Sequence, residues 1–129
     1  MITIKLDRKH YALSVEGHAD DKIVCAGVSA LAHTYALYVK LVPNTRSYVQ
    51  EGEGFTYIEA DPSGTGTVVL ETAYSVVIEG LMALAKDYGD EIDLHFTEKG
   101  DTGSYKFEGA QDTIKSRTRT PNVQKEGML

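Results

Sequence analysis

The chain has a single cysteine, Cys25, and a histidine, His18, stands seven residues before it. A thiol is a useful nucleophile only as a thiolate, a state favoured by a nearby imidazole or by the unpaired amides of a helix N-terminus. Asp20 and Asp21 precede an apolar run beginning at Ile23. A helix is therefore expected to start near Lys22, capped by an aspartate, with Cys25 in its first turn. Backbone amides at Cys25 and Ala26, or in the preceding loop, could then donate to an oxyanion. His18 would reach the thiol only if the intervening loop folds back, because seven extended residues span more than ~20 Å. Ser29, one helical turn after Cys25, could orient a catalytic group, and Lys22 would favour the thiolate if it pointed inward.

Each of these residues also has a plainer reading. Free cysteine is among the most buried residue types, so Cys25 in an apolar helix can be core filler. His18 can be an ordinary loop residue, and Asp20 and Asp21 ordinary helix caps. The Ser29 hydroxyl can satisfy itself on a carbonyl one turn back. His10, His33 and His95 have no clustered partner and no metal-ligand spacing, so no metal site is assigned.

The elements that must hold these residues are legible as periodicities. Ile2, Ile4 and Leu6 alternate with Thr3, Lys5 and Asp7, and Tyr11, Leu13 and Val15 repeat the alternation, which predicts an N-terminal hairpin ending at Gly17. The run from Ile23 to Pro43 reads as a central helix apolar on most faces. Tyr48-Val49 and then Phe55, Tyr57, Ile58 and Ala60 predict a second hairpin turning near residues 51–54. Residues 61–66 are dense in turn formers, with a short extended piece expected at 67–70. Val76, Val77, Leu81, Leu84 and Ala85 keep helical spacing over residues 72–88, with Gly89 as the C-terminal cap. Ile92, Leu94 and Phe96 alternate again, and Tyr105 and Phe107 suggest a closing hairpin. The expected class is α+β, in the order β-β-α-β-β-α-β with a mainly antiparallel sheet and two packed helices.

Length and charge narrow the function classes. The 129 residues fit one domain of ordinary size, expected at 1–108, with residues 109–129 a polar, disordered tail. That tail sets Lys115, Arg117, Arg119 and Lys125 against Asp112 and Glu126. A net charge of −6 argues against non-specific nucleic-acid or membrane binding. Ser29, His33, Thr34 and Lys40 interrupt the apolar stretch 23–42, and a cytoplasmic location is expected. One cysteine excludes an internal disulfide.

Val15-Glu16-Gly17-His18-Ala19, followed by Ile23-Val24-Cys25-Ala26-Gly27-Val28-Ser29-Ala30-Leu31, resembles the paired GHA and DIVCAxVSAL signatures of the ribosomal-processing cysteine protease family, Prp. The wider resemblance covers about residues 1–96. It implies a small homodimeric α+β protein, without cofactor, that removes an N-terminal extension from a large-subunit ribosomal protein. Phage-associated relatives act on capsid or scaffold proteins. By motif position His18 would be the catalytic histidine, Cys25 the nucleophile and Ser29 the family's serine. The chain departs from the family in two places. The loop between His18 and Cys25 is shorter than usual, and Lys22 occupies the place of an aspartate whose role Asp21, or Asp20, would assume. A relative that binds a peptide without cutting it, and a domain that docks through its tail, are the competing functions.

Overall fold

A computed structural model describes residues 1–97 and the backbone of residues 104–105. The predicted first hairpin forms as β1 (Ile2–Asp7) and β2 (Ala12–Gly17), and the predicted helix as α1 (Lys22–Tyr38) followed by a 3₁₀ turn, Val39–Leu41. The second hairpin is β3 (Thr45–Gly52) and β4 (Phe55–Pro62). Then come α2 (Thr65–Asp87), β5 (Ile92–Thr97) and β6 (Ser104–Tyr105). The strands form one sheet in the order β3-β4-β2-β1-β5-β6. Four neighbouring pairs are antiparallel, and β1 and β5 are parallel, with Ile2 opposite Ile92 and Phe96 opposite Leu6. The fold class is α+β, as expected. The tail at 109–129 and Phe107 lie outside the described residues.

Alternation along the strands sends Ile2, Ile4, Leu6, Leu13, Ile58, Ile92, Leu94 and Phe96 into one core. Val24, Val28, Ala32, Tyr35 and Ala36 of α1 and Leu70, Tyr74, Ile78, Leu81 and Met82 of α2 fill its other side. Each large side chain fully buried there contributes about 1.5–3 kcal/mol. Between the buried positions Lys5 and Asp93 are exposed, while Thr3, Asp7 and His95 on the same sheet face are half-buried. Lys22–Leu41 and α2 are each long and apolar enough to cross a membrane by length and composition. Both set an apolar side into the shared core.

Three local expectations are corrected. Residues 67–70 are not extended but form the first turns of α2, because burial of Gly66 and Leu70 outweighs the strand preference of Val68 and Val69. Gly89 is not a left-handed cap: α2 closes at Tyr88, whose N–H donates to the Leu84 carbonyl, and among the described glycines positive φ occurs at Gly17, Gly54 and Gly64. Tyr11 is not in β2 but in the preceding turn, at φ 51°. Gly66 is held by space. A Cβ there would come within 2.0 Å of the Pro43 carbonyl oxygen and 2.7 Å of Thr45 Oγ1. Gly66→Ala is accordingly expected to cost about 2–3 kcal/mol, seen as a lower urea midpoint at unchanged slope.

A tyrosine cluster ties the β1–β2 turn to both helices. Tyr35 Oη donates to the Tyr11 carbonyl and Tyr74 Oη to the Ala12 carbonyl, both at 2.7 Å, while Tyr11 Oη donates to Glu71 at 3.0 Å. Burial, with Glu71 beside it, pushes the Tyr11 phenol up to about 12. Burial and the Glu59 hydrogen bond push Tyr57 to about 12. Burial, chiefly, raises Tyr35 and Tyr74 as well. A phenol whose pKa is raised by folding contributes stability that is complete below its unfolded value and lost as pH climbs through the folded value. Thermal stability is therefore expected to be insensitive to these groups below pH ~10 and to fall steeply between pH ~10 and ~12. Circular dichroism melts across that range test this.

Candidate active site

The end of β2, the start of α1 and the β3–β4 turn meet around residues 17–25. Asp21 caps α1 as expected, with extended backbone (φ −82°, ψ 119°) and a side chain accepting from the Ile23 N–H at 2.8 Å. Such a cap is worth about 1 kcal/mol. Cys25 stands in the first turns of α1, partly exposed and packed against the edge of the core. Its thiol is paired with one residue of the His18 loop: the Ala19 N–H donates to Sγ at 3.2 Å, and Sγ lies 3.5 Å from the Ala19 carbonyl, to which it donates. The short loop therefore does fold back, and the residue after His18 touches the thiol.

His18 itself is exposed, and its ring lies over the β3–β4 turn. Gly17, at φ +98°, makes the bend that ends β2; a Cβ there would meet the Met1 carbonyl oxygen at 2.3 Å. The Met1 nitrogen donates to the His18 carbonyl at 2.6 Å. Among the described residues no hydrogen bond joins the His18 imidazole to the Cys25 thiol. The arrangement places the loop of His18 against Cys25 while the imidazole rests on Gly54.

The remaining candidates separate. Of the amides expected to face an oxyanion, the Cys25 N–H donates to the Asp21 carbonyl at 3.2 Å, and Ala26 lies within the helix, where its amide follows the same i to i−4 pattern. The Val24 N–H also donates to Asp21, at 3.1 Å. Of the first-turn amides this leaves the Lys22 N–H without a partner among the described residues, as a first-turn donor should be. Ser29 is exposed on α1 and does not bond back to the Cys25 carbonyl. Lys22 and Asp20 are exposed.

Sequence reasoning missed several supports. Glu91, just before β5, accepts from the Asp21 N–H at 3.0 Å and so steadies the helix start. His33 pairs with Glu51 at 3.3 Å, fastening the β3–β4 hairpin to α1. His10 pairs with Asp7 at 2.8 Å and His95 with Asp93 at 2.7 Å, so these histidines do have partners. No sequence spacing signals a contact between residues 18 and 54 or between 21 and 91. Among the described residues, no group of three or more His, Cys, Asp or Glu side chains is placed to hold a metal ion.

The family described as cysteine protease Prp matches residues 1–93. The chain belongs to the Prp family. Two crystal structures of the essential ribosomal-processing protease Prp from S. aureus share its fold. One, with a covalently linked product peptide, has a TM-score of 0.63 at 20% identity, covering 75% of this chain and 100% of that one. The other, with a substrate peptide, has a TM-score of 0.62 at 19% identity over the same shares. The crystal structure of SMU.848 from Streptococcus mutans has a TM-score of 0.57 at 18% identity, covering 76% of this chain and 93% of that one. At these identities the likeness is one of fold. No curated protein is similar enough in sequence to count as a match. The chain has a single cysteine, Cys25.

Proposed function

We propose that the protein is a cysteine endopeptidase of the ribosomal-processing type, with Cys25 as nucleophile and His18 as general base and acid. The observation that supports this most is the Ala19–Cys25 contact, which brings the residue next to His18 within 3.2 Å of Sγ in a chain of the Prp family. The His18 imidazole turns from Gly54 toward Cys25 and takes the thiol proton. Sγ then attacks the scissile carbonyl carbon, and the developing oxyanion is received by amides of the loop and helix start, the Lys22 N–H foremost. Collapse breaks the C–N bond, with the proton passing from the imidazolium to the leaving amine, and leaves a thioester. Water, deprotonated by the same imidazole, releases the acid and regenerates the thiol. Asp21 holds the helix start in register, and Ser29 lines the exposed side of α1 one turn beyond the nucleophile.

The substrate is proposed to be an extended N-terminal segment of a large-subunit ribosomal protein, since the S. aureus Prp structures hold peptides. A capsid or scaffold protein would present the same extended backbone. The working unit is proposed to be a cytoplasmic homodimer. Ile23 and Leu37 are exposed along α1, Leu41 in the 3₁₀ turn after it, and Val68 and Val76 along α2, as surface available to a second copy. The test is intact-mass analysis of a ribosomal protein carrying its N-terminal extension after incubation with the wild-type protein. Release of one N-terminal peptide supports the reading. A bound but uncut partner favours the non-catalytic peptide-binding module instead.

A further inference from the structure

Residues 17–21 are pinned along their backbone. The Gly17 N–H donates to the Gly54 carbonyl at 2.9 Å, the Ala19 N–H to Cys25 Sγ at 3.2 Å, and the Asp21 N–H to Glu91 at 3.0 Å. The main freedom left to His18 is rotation of its side chain. One wall of that rotation is a bare Cα: a Cβ on Gly54 would lie 2.9 Å from His18 Nε2, 3.4 Å from Cε1 and 3.7 Å from Cδ2. The ring thus rests where a side chain at position 54 would stand. The turn bearing Gly54 is itself secured, through the Gly17 bond on one side and the Glu51–His33 pair on the other.

Resting on the protease reading above, we propose that Gly54 is a positioning residue for His18: its missing side chain provides the seat from which the imidazole swings to Cys25. Gly54 also has φ +70°, which favours glycine for a separate reason, backbone strain. The two reasons are separable by substitution. Alanine at position 54 adds a Cβ and strains the backbone, whereas asparagine adds a Cβ but tolerates the left-handed region. Gly52, in the same hairpin, has open space where its Cβ would be, so Gly52→Ala serves as the control.

The experiment compares wild type, Gly54→Asn, Gly54→Ala and Gly52→Ala by thermal melt, by the His18 ring proton resonances at fixed pH, and by kcat and KM on an extended peptide substrate. In Gly54→Asn the ring resonances are expected to shift and kcat to fall about 10- to 100-fold, the cost of a misplacement of about 1 Å, with KM within a few-fold of wild type and the melt nearly unchanged. Gly54→Ala should lose as much kcat and some thermal stability, and Gly52→Ala should match wild type. Wild-type resonances and kcat in Gly54→Asn would overturn the proposal and reduce Gly54 to a turn residue. If the wild-type protein cuts no peptide, the protease reading fails by itself. The ring resonances then still decide whether Gly54 seats His18.

Discussion

Cys25→Ala is expected to lower peptide cleavage by at least about 10³-fold while the protein stays folded. The reaction needs an electron pair that becomes a bond to the scissile carbon, and alanine offers none. The loop amides and the bound imidazole remain, but with no covalent intermediate they can only polarise the carbonyl toward water. The structural cost is small because Cys25 is partly exposed and its partner, Ala19, is in a surface loop. Losing its hydrogen bonds costs about 1 kcal/mol. A melt close to that of wild type, alongside undetectable turnover, is the expected pair of results. Cys25→Ser should be almost as inactive, since a hydroxyl at neutral pH is a far weaker nucleophile than a thiolate.

His18→Ala is expected to lower kcat about 10²- to 10⁴-fold, the usual contribution of a general acid and base. The KM should change little, because an exposed ring resting on Gly54 is not built into a peptide-binding wall. Stability should stay within about 0.5 kcal/mol of wild type, as is usual for an exposed position. The His18 backbone, which accepts from the Met1 nitrogen, is unaltered by the substitution. A loss of kcat without a loss of fold or affinity separates a catalytic histidine from a loop residue. Steady-state kinetics and a thermal melt on one preparation read both.

How much of this was visible in the residues follows from the range of the interactions. Alternation in residues 2–7 and 12–17 and the turn glycines near 52–54 specify hairpins, because their partners are neighbours in sequence. The aspartate cap was equally local, and Asp21 accepts from the Ile23 amide two residues on. The β1–β5 pairing was not legible: Ile92, Leu94 and Phe96 announce a strand but carry no mark of joining the first strand in parallel. The start of α2 was misread for a related reason. Val68 and Val69 favour a strand locally, and the burial of Gly66 against Pro43 and of Leu70 in the core outweighs that preference. At the site, Cys25 and His18 stood out as candidates because they lie in one short segment. Gly54 and Glu91, which seat and steady that segment, come from distant elements, Glu91 lying 70 residues from Asp21, and the His33–Glu51 pair itself spans 18 residues. Which amides of the helix start are free was not legible, because the cap residue sets it: the Val24 and Cys25 N–H groups both donate to the Asp21 carbonyl.

The measurement that reaches the central claim most directly is covalent capture by an extended peptide bearing a vinyl sulfone at the scissile position, which reports binding and thiol activation in one step. Intact mass and peptide mapping should show one adduct on Cys25 of the folded wild-type protein, none in Cys25→Ala, and strongly slowed labelling in His18→Ala. A wild-type protein that takes up no adduct, or that is labelled equally fast without His18, would contradict the assignment of Cys25 and His18 as a proteolytic pair.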